Sequence, residues 1–150
     1  MATATSWNLP QDKRARIVDV AMQEFGARGF AAGSLNVIAK GADVAKGSLF
    51  QYFEDKLDLY LCVCEHAASE IERDILVGVD AEAPLFDNLR AIVDRWMAYF
   101  RSHPVHQRMS YASTHEVDPE IRAVLRAAAN AHYESALRPL VRVARERGEL

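Results

Sequence analysis

Ala45 to Lys56 reads AKGSLFQYFEDK, so within twelve positions two lysines, a serine, a glutamine and a tyrosine surround a glycine that carries no side chain. These residue types suit contact with nucleic acid. A lysine or a serine can reach a phosphate or a guanine edge, a glutamine can hydrogen-bond adenine, and a glycine lets the backbone come close to the duplex. Lys46 falls in what reads as a first helical turn, Gly47 and Ser48 follow, and Gln51 lies one turn on. Tyr52 and Lys56 are then placed to hold phosphates, and the helix N-termini near Ser34 and Lys46 point partial positive charge the same way.

Side chains can serve in this way only if helices hold them. Residues 11–28 carry Ile17, Ala21 and Phe25 four apart beside Val18 and Met22, the stripe of an amphipathic helix that Gly29 stops. Ser34 caps a short helix over residues 35–41, "GADV" breaks it, and residues 45–53 restart with Leu49 and Phe53 as inward anchors. Two short helices joined by about four residues make a helix-turn-helix candidate, with the first helix as the third wall of its core.

The rest of the chain reads as a helical body. Asp55 opens a long helix running to about Gly78, with Leu57, Leu61, Cys64, Ala68, Ile71 and Ile75 near one face. Pro84 starts a helix whose Leu85, Phe86, Leu89, Ile92, Val93, Trp96, Met97, Tyr99 and Phe100 span so wide an arc that burial of most of it is expected. Pro104 opens another through about Ala112. Asp118 and Pro119 begin a last one to Gly148, with Ile121, Val124, Leu125, Ala128, His132, Leu137, Leu140 and Ala144 as its apolar set. No strand alternation, repeat or low-complexity linker is evident, so the fold class is all α: residues 1–54 as a helix-turn-helix head and 55–150 as a helical regulatory body.

Composition narrows the classes. The 150 residues are 50% hydrophobic with a formal net charge of -3, which argues for folding and against coating nucleic acid by bulk attraction. All four lysines lie in the first 56 residues, where seven basic residues meet six acidic ones; beyond them eleven arginines meet fifteen acids. The head is slightly basic and the body acidic. No run approaches the ~18 to 20 apolar residues of a membrane span, and MATATSWNLPQDKRAR lacks the apolar core of a signal peptide, so a cytoplasmic protein is expected.

Enzymatic motifs are missing. THEVDP begins like H-E-x-x-H, but Pro119 stands where the second histidine would be; AKGS has the wrong order for a phosphate loop; no G-x-S-x-G occurs. Cys62 and Cys64 sit two apart on a helix and cannot easily pair, which suits buried apolar roles. His103 and His106 could share a face, but no acid or thiol stands at ligand spacing among the histidines, so neither metal nor cofactor is expected.

IAKGADVAKGSLFQYFEDKLDL, Ile38 to Leu59, resembles the DNA-binding head of TetR/AcrR-type transcriptional regulators, whose pattern runs I-A-x-x-A-G-V-S-x-G-x-x-Y-x-Y/H-F-x-x-K-x-x-L. Ile38, Ala39, Ala42, Val44, Gly47, Tyr52, Phe53, Lys56 and Leu59 match, and ARIVDVAMQEFGARGFAAGSL looks like that family's first helix and turn. Three positions depart from the pattern. Asp43 replaces the turn glycine, Ala45 the capping serine and Phe50 a tyrosine.

The resemblance implies double-stranded operator DNA as partner, with Lys46, Gly47, Ser48 and Gln51 at the bases or adjacent backbone and Ser34, Tyr52 and Lys56 at phosphates. It further implies a homodimer, a repressor released from a palindromic operator, and a small effector held in the body. The aromatic and sulfur-rich set Trp96, Met97, Tyr99, Phe100, Met109, Tyr111, His132 and Tyr133 would suit a mostly apolar one. Dimerisation helices beyond RERGEL are expected from the same plan, and their lack would expose Leu137, Leu140, Val141 and Val143. The competing reading is a helical protein-interaction module without sequence-specific DNA binding.

Overall fold

Ile17, Val18, Ala21, Met22 and Phe25 are buried along one side of the first helix, α1 (Pro10–Ala32). The computed structural model describes residues 10–150, so the first nine residues of the head, with most of the segment read for a signal peptide, lie outside the described residues. Gly29 takes φ 73° and ψ -177°, a conformation open only to glycine, and puts a kink in α1 where the sequence placed its stop. Gly33 follows against the Phe25 ring, where an added Cβ would meet a ring carbon at 2.5 Å.

Two short helices lie against α1. In α2 (Leu35–Gly41), Ile38 and Ala39 are buried, and Ser34 caps it by accepting from the Val37 N–H at 3.3 Å. The turn after it is a Schellman motif: the Val44 N–H donates to the Ala39 carbonyl at 3.0 Å and the Asp43 N–H to the Lys40 carbonyl at 3.2 Å. Asp43 carries the left-handed residue of that motif at φ 55°. Asparagine and aspartate reach this region more readily than other non-glycine residues, which accounts for the departure at this position.

The next helix is shorter than its sequence suggests. Only Lys46–Leu49 is helical (α3), and the Gln51 and Tyr52 amides bond back three residues to Ser48 and Leu49, the tighter pattern of a 3₁₀ turn. Ala45 supplies no capping bond and Gly47 sits inside, so little holds a longer helix open against the pull of Leu49 and Phe53 into the core.

Asp55 caps α4 (Lys56–Ile75) by accepting from the Asp58 N–H at 2.8 Å. Two stripes run along it, about 100° apart around the axis. Leu59, Tyr60, Val63 and Ala67 enter one core with α1, α2 and α3, while Leu61, Cys64, Ala68, Ile71 and Ile75 face a cavity in the body. The predicted domain boundary after residue 54 falls beside the α4 cap, and packing runs across it, since Met109 and Ile121 join the core of the head.

The body adds α5 (Leu85–Ser102), α6 (Pro104–Thr114) and α7 (Pro119–Glu146). The expected burial of most of the α5 arc is only partly observed: Leu85, Asn88, Ile92 and Tyr99 are buried, but Phe86, Val93 and Met97 are 64%, 53% and 56% exposed. The reason is that α5 packs on one side only. A second, smaller core gathers Ile75, Leu85, Ile92, Leu140 and Ala144 at the far end. This corrects the expected exposure near the C-terminus, because Leu140 is buried there and Leu137 packs against it, with Val141 and Val143 half-buried. The exposed large apolar residues of α7 are Val124 and Tyr133 instead. Among the described residues there is no strand, and no helix is long and apolar enough to cross a membrane.

Candidate functional site

The outer side of α2 and α3 presents the polar residues that the sequence singled out. Lys46, Gly47 and Gln51 are exposed and Ser48 is half-exposed, while Leu49 and Phe53 beneath them are 2% and 4% exposed. A Cβ added at Gly47 meets no atom within 4 Å, so the glycine serves no internal contact and leaves its backbone open to an outside partner. Ser34 is fixed from both ends: its hydroxyl caps α2, and its N–H donates to Glu24 Oε1 at 3.1 Å. Glu24 in turn pairs with Arg28 at 3.2 Å.

Tyr52 and Lys56 lie at the edge of this surface. Tyr52 is half-buried against the core of the head. Lys56 donates to the Ala31 carbonyl at 3.1 Å and sits 5.0 Å from the centre of the Phe30 ring, which ties the start of α4 to the end of α1. One of its three N–H donors is used there, so two remain for an outside acceptor. Sequence reading passed over Val37 and noted Phe50 only as a departure from the family pattern; they are 48% and 51% exposed, on α2 and at the end of α3. Apolar residues off the buried stripe of a short helix are the signal that would have found them.

In the body, α4, α5, α6 and α7 enclose a cavity of about 580 Å³. Its wall is mostly aliphatic, with Leu61, Ile71, Ile75, Leu89, Ile92, Leu125 and Leu137. Trp96, Met109, His132 and Tyr133 of the predicted set also line it. Met97, Phe100, Tyr111 and Tyr99 do not. Met97 is turned about 100° from Trp96 around α5 and points outward; Phe100 packs on the Trp96 ring at 5.9 Å; Tyr111 is 65% exposed and stacks on His115 at 4.0 Å; Tyr99 is buried against His103 at 3.9 Å.

Few polar groups meet the cavity. The Trp96 indole N–H is buried without a partner among the described residues. His132 Nε2 faces the Glu72 carboxylate, an ion pair spanning α7 and α4 that sequence spacing could not reveal. Burial, reinforced by Glu72, raises the Tyr133 hydroxyl above its ordinary pKa and keeps it a neutral phenol. Burial pushes the Cys64 thiol up to about 12; Glu116 and Cys62 add to the rise, and a hydrogen bond with Tyr60 opposes it. The hydroxyls of Ser113 and Thr114 bond back to the Ser110 carbonyl at 3.0 and 2.8 Å. Both cysteines are free, and among the described residues no three His, Cys, Asp or Glu side chains converge as a metal site would need.

Between the two sites lies a buried polar tie. The Tyr60 hydroxyl donates to Glu116 Oε2 at 3.3 Å, and Glu116, only 4% exposed in the α6–α7 turn, also accepts from the Asp118 N–H at 3.1 Å. Tyr60 packs edge-on against Phe25 at 5.0 Å and beside Phe30 at 5.2 Å, so the body's carboxylate is fastened to α1 through one ring.

With this geometry in hand, comparison with known proteins gives a consistent picture. Residues 17–63 match the family model for bacterial regulatory proteins, tetR family. The chain is 26% identical over 124 residues to the HTH-type transcriptional activator FasR of Mycolicibacterium smegmatis, covering 82% of this chain and 57% of that protein. It is 39% identical over 61 residues to the HTH-type transcriptional regulator AcrR of Shigella flexneri, 41% of this chain and 28% of that protein. The chain therefore spans a little over half the length of the first relative and under a third of the second. A TetR family transcription regulator from Marinobacter aquaeolei VT8 superposes with a TM-score of 0.69 at 24% identity, over 89% of this chain and 67% of that one. None of these relatives is an enzyme. The head built on α1 to α4 is thus similar to that of bacterial regulatory proteins of the tetR family, and the helical body continues in the fold of such a regulator.

Proposed function

We propose that the protein is a ligand-responsive transcriptional regulator in the cytoplasm, a repressor that leaves a palindromic operator when a small, mostly apolar effector enters the body. The observation that carries the reading is α4. Its Leu59, Tyr60 and Val63 belong to the core under the DNA-facing residues, and its Ile71, Glu72 and Ile75 belong to the cavity wall. One rigid element thus touches both sites.

Each half has a physical role. Lys46, Ser48 and Gln51 offer donors to base edges and phosphates, Gly47 admits the backbone, and Ser34, Tyr52 and Lys56 fix the register on the phosphates. The helix N-terminus at Ser34 adds partial positive charge toward the same partner. The cavity offers an aliphatic wall with the unpartnered Trp96 N–H, suited to an apolar body bearing an acceptor. An effector that prefers one tilt of α4 shifts the population of head positions by its differential affinity. Two heads related by a two-fold axis would read half-sites about a helical turn or more apart, so a change in tilt alters their spacing.

The test is selection of bound duplexes from a random pool by the protein, Lys46→Ala and Gln51→Ala. A palindromic site, relaxed at particular bases by Gln51→Ala, supports the reading. No enrichment and no salt-dependent binding to mixed genomic DNA would overturn it.

A further inference from the structure

The charge on the cavity wall narrows the effector class. Apart from the Cys64 thiol and the Tyr133 phenol, the acidic and basic side chains among the lining residues are Glu65, Glu72 and His132, and there is no lysine or arginine. His132 is already turned to Glu72, which leaves no free cation on the wall. Arg95, next to Trp96 in the chain, directs its guanidinium to the Ile75 carbonyl at 3.4 Å and does not line the space. A carboxylate, sulfate or phosphate entering this space would shed its water and meet two carboxylates with at most one imidazolium in answer.

A positive ligand meets the opposite situation. The Trp96 and Tyr133 rings, 6.3 Å apart and inclined at 45°, form an aromatic wall one residue from His132. Ring faces attract a cation, most strongly where water is thin. The Glu72 side chain is only 27% exposed, so a cation that takes the place of His132 there would gain more than at an open surface. Resting on the reading of this cavity as an effector site, we infer that its effector is a lipophilic monocation, an amine or quaternary ammonium on an apolar body, bound by Glu72 against the Trp96 and Tyr133 rings.

The test uses three probes of equal chain length, decyltrimethylammonium, decan-1-ol and decanoate, titrated calorimetrically into the folded 150-residue chain. The alcohol reports the apolar cavity alone. The expected order is cation tighter than alcohol and alcohol tighter than carboxylate, with about tenfold or more between the first and last. Glu72→Gln should weaken the cation about tenfold and leave the alcohol within about twofold. Glu65→Gln, at an exposed rim residue, should weaken the cation about two- to threefold with no effect on the fold, so the result stands even if Glu72→Gln unfolds. Decanoate binding as tightly as the cation, or substitutions that change alcohol and cation equally, would overturn the inference while leaving the cavity reading in place. Failure of all three probes to bind the folded chain would overturn both.

Discussion

Tyr60→Phe removes one oxygen and nothing else from a residue with 0% exposure. The hydroxyl donates at 3.3 Å to a carboxylate, Glu116, that is itself 4% exposed and keeps one other bond, from the Asp118 N–H. A hydrogen bond to a charged group contributes about 1.5 to 3 kcal/mol, and this one is long for an O–H donor, so the lower end, about 1.5 kcal/mol, is expected. For a chain of this size that is a fall in melting temperature of about 3 to 6 °C. The cause is separable by a cycle with Glu116→Met, which removes the acceptor. In that background the Tyr60 hydroxyl keeps only its hydrogen bond with the Cys64 thiol, a weak partner, so its removal should cost at most about 0.5 kcal/mol. Urea denaturation of the four proteins should then give a coupling of about 1 kcal/mol or more between positions 60 and 116. A loss below about 0.3 kcal/mol in the natural background, or the same loss in both, would show that the hydroxyl does not hold the carboxylate.

Other expectations follow from equally local features. Gly47→Ala has open space for its methyl group. It should leave stability unchanged or raised by up to about 1 kcal/mol while weakening operator binding about tenfold, which melting and fluorescence anisotropy together would reveal. Ala45→Ser restores an N-cap that α3 lacks, so urea melts should show a gain of about 1 kcal/mol. At Glu70, burial raises the pKa, but the His106 hydrogen bond at 2.6 Å, with His66, the His106 charge and Arg73, lowers it on balance. A lowered folded pKa gives stability that is present above the unfolded glutamate value of about 4.3 and lost as pH falls through the folded one. Glu70→Gln should therefore cost about 0.5 kcal/mol at pH near 5.5 and nothing near pH 3, a modest figure because the carboxylate is partly exposed. Ala68→Phe extends a ring from the α4 wall into the cavity and should mimic an effector, weakening ligand-free operator binding. Unchanged DNA affinity with lost probe binding would count against a link between the sites.

What the sequence revealed depended on whether the determining interactions were local. Gly29, the Ser34 and Asp118 caps, and the missing side-chain cap at Ala45 all act within a few residues, and each could be read from residue type and position. On α4 the stripe chosen from periodicity was the one that faces the cavity. The more deeply buried Leu59, Tyr60 and Val63 stripe was passed over because apolar spacing says which residues share a face and nothing about what packs on it. The same limit explains α5, whose apolar arc is wider than the neighbours available to cover it. His132 with Glu72, and Tyr60 with Glu116, join residues about sixty positions apart, and no local signal encodes such pairs. Three of the aromatics proposed for the cavity failed for the complementary reason: Tyr99, Phe100 and Tyr111 had suitable chemistry on faces that point elsewhere.

The long-range pairs also bear on how a signal could travel. The twenty residues of α4, at about 1.5 Å each, make a rod about 30 Å long with the head core at one end and the cavity at the other. A shift of about 1 Å at the cavity end tilts such a rod by about 2°, too little to break the packing of Leu59 and Val63 but enough to reorient what they support. Two contacts resist that tilt. Lys56 holds the first turn of α4 to Ala31 and Phe30 of α1, and Glu116 holds Tyr60 from the α6–α7 turn. With its start fastened to α1, α4 cannot tilt without carrying the head, whereas the His132 and Glu72 pair at its other end is half-exposed and can be exchanged for a ligand. The firm attachment thus lies beside the residues proposed to face DNA and the replaceable one lies in the cavity, which is the asymmetry that transmission from ligand to DNA requires.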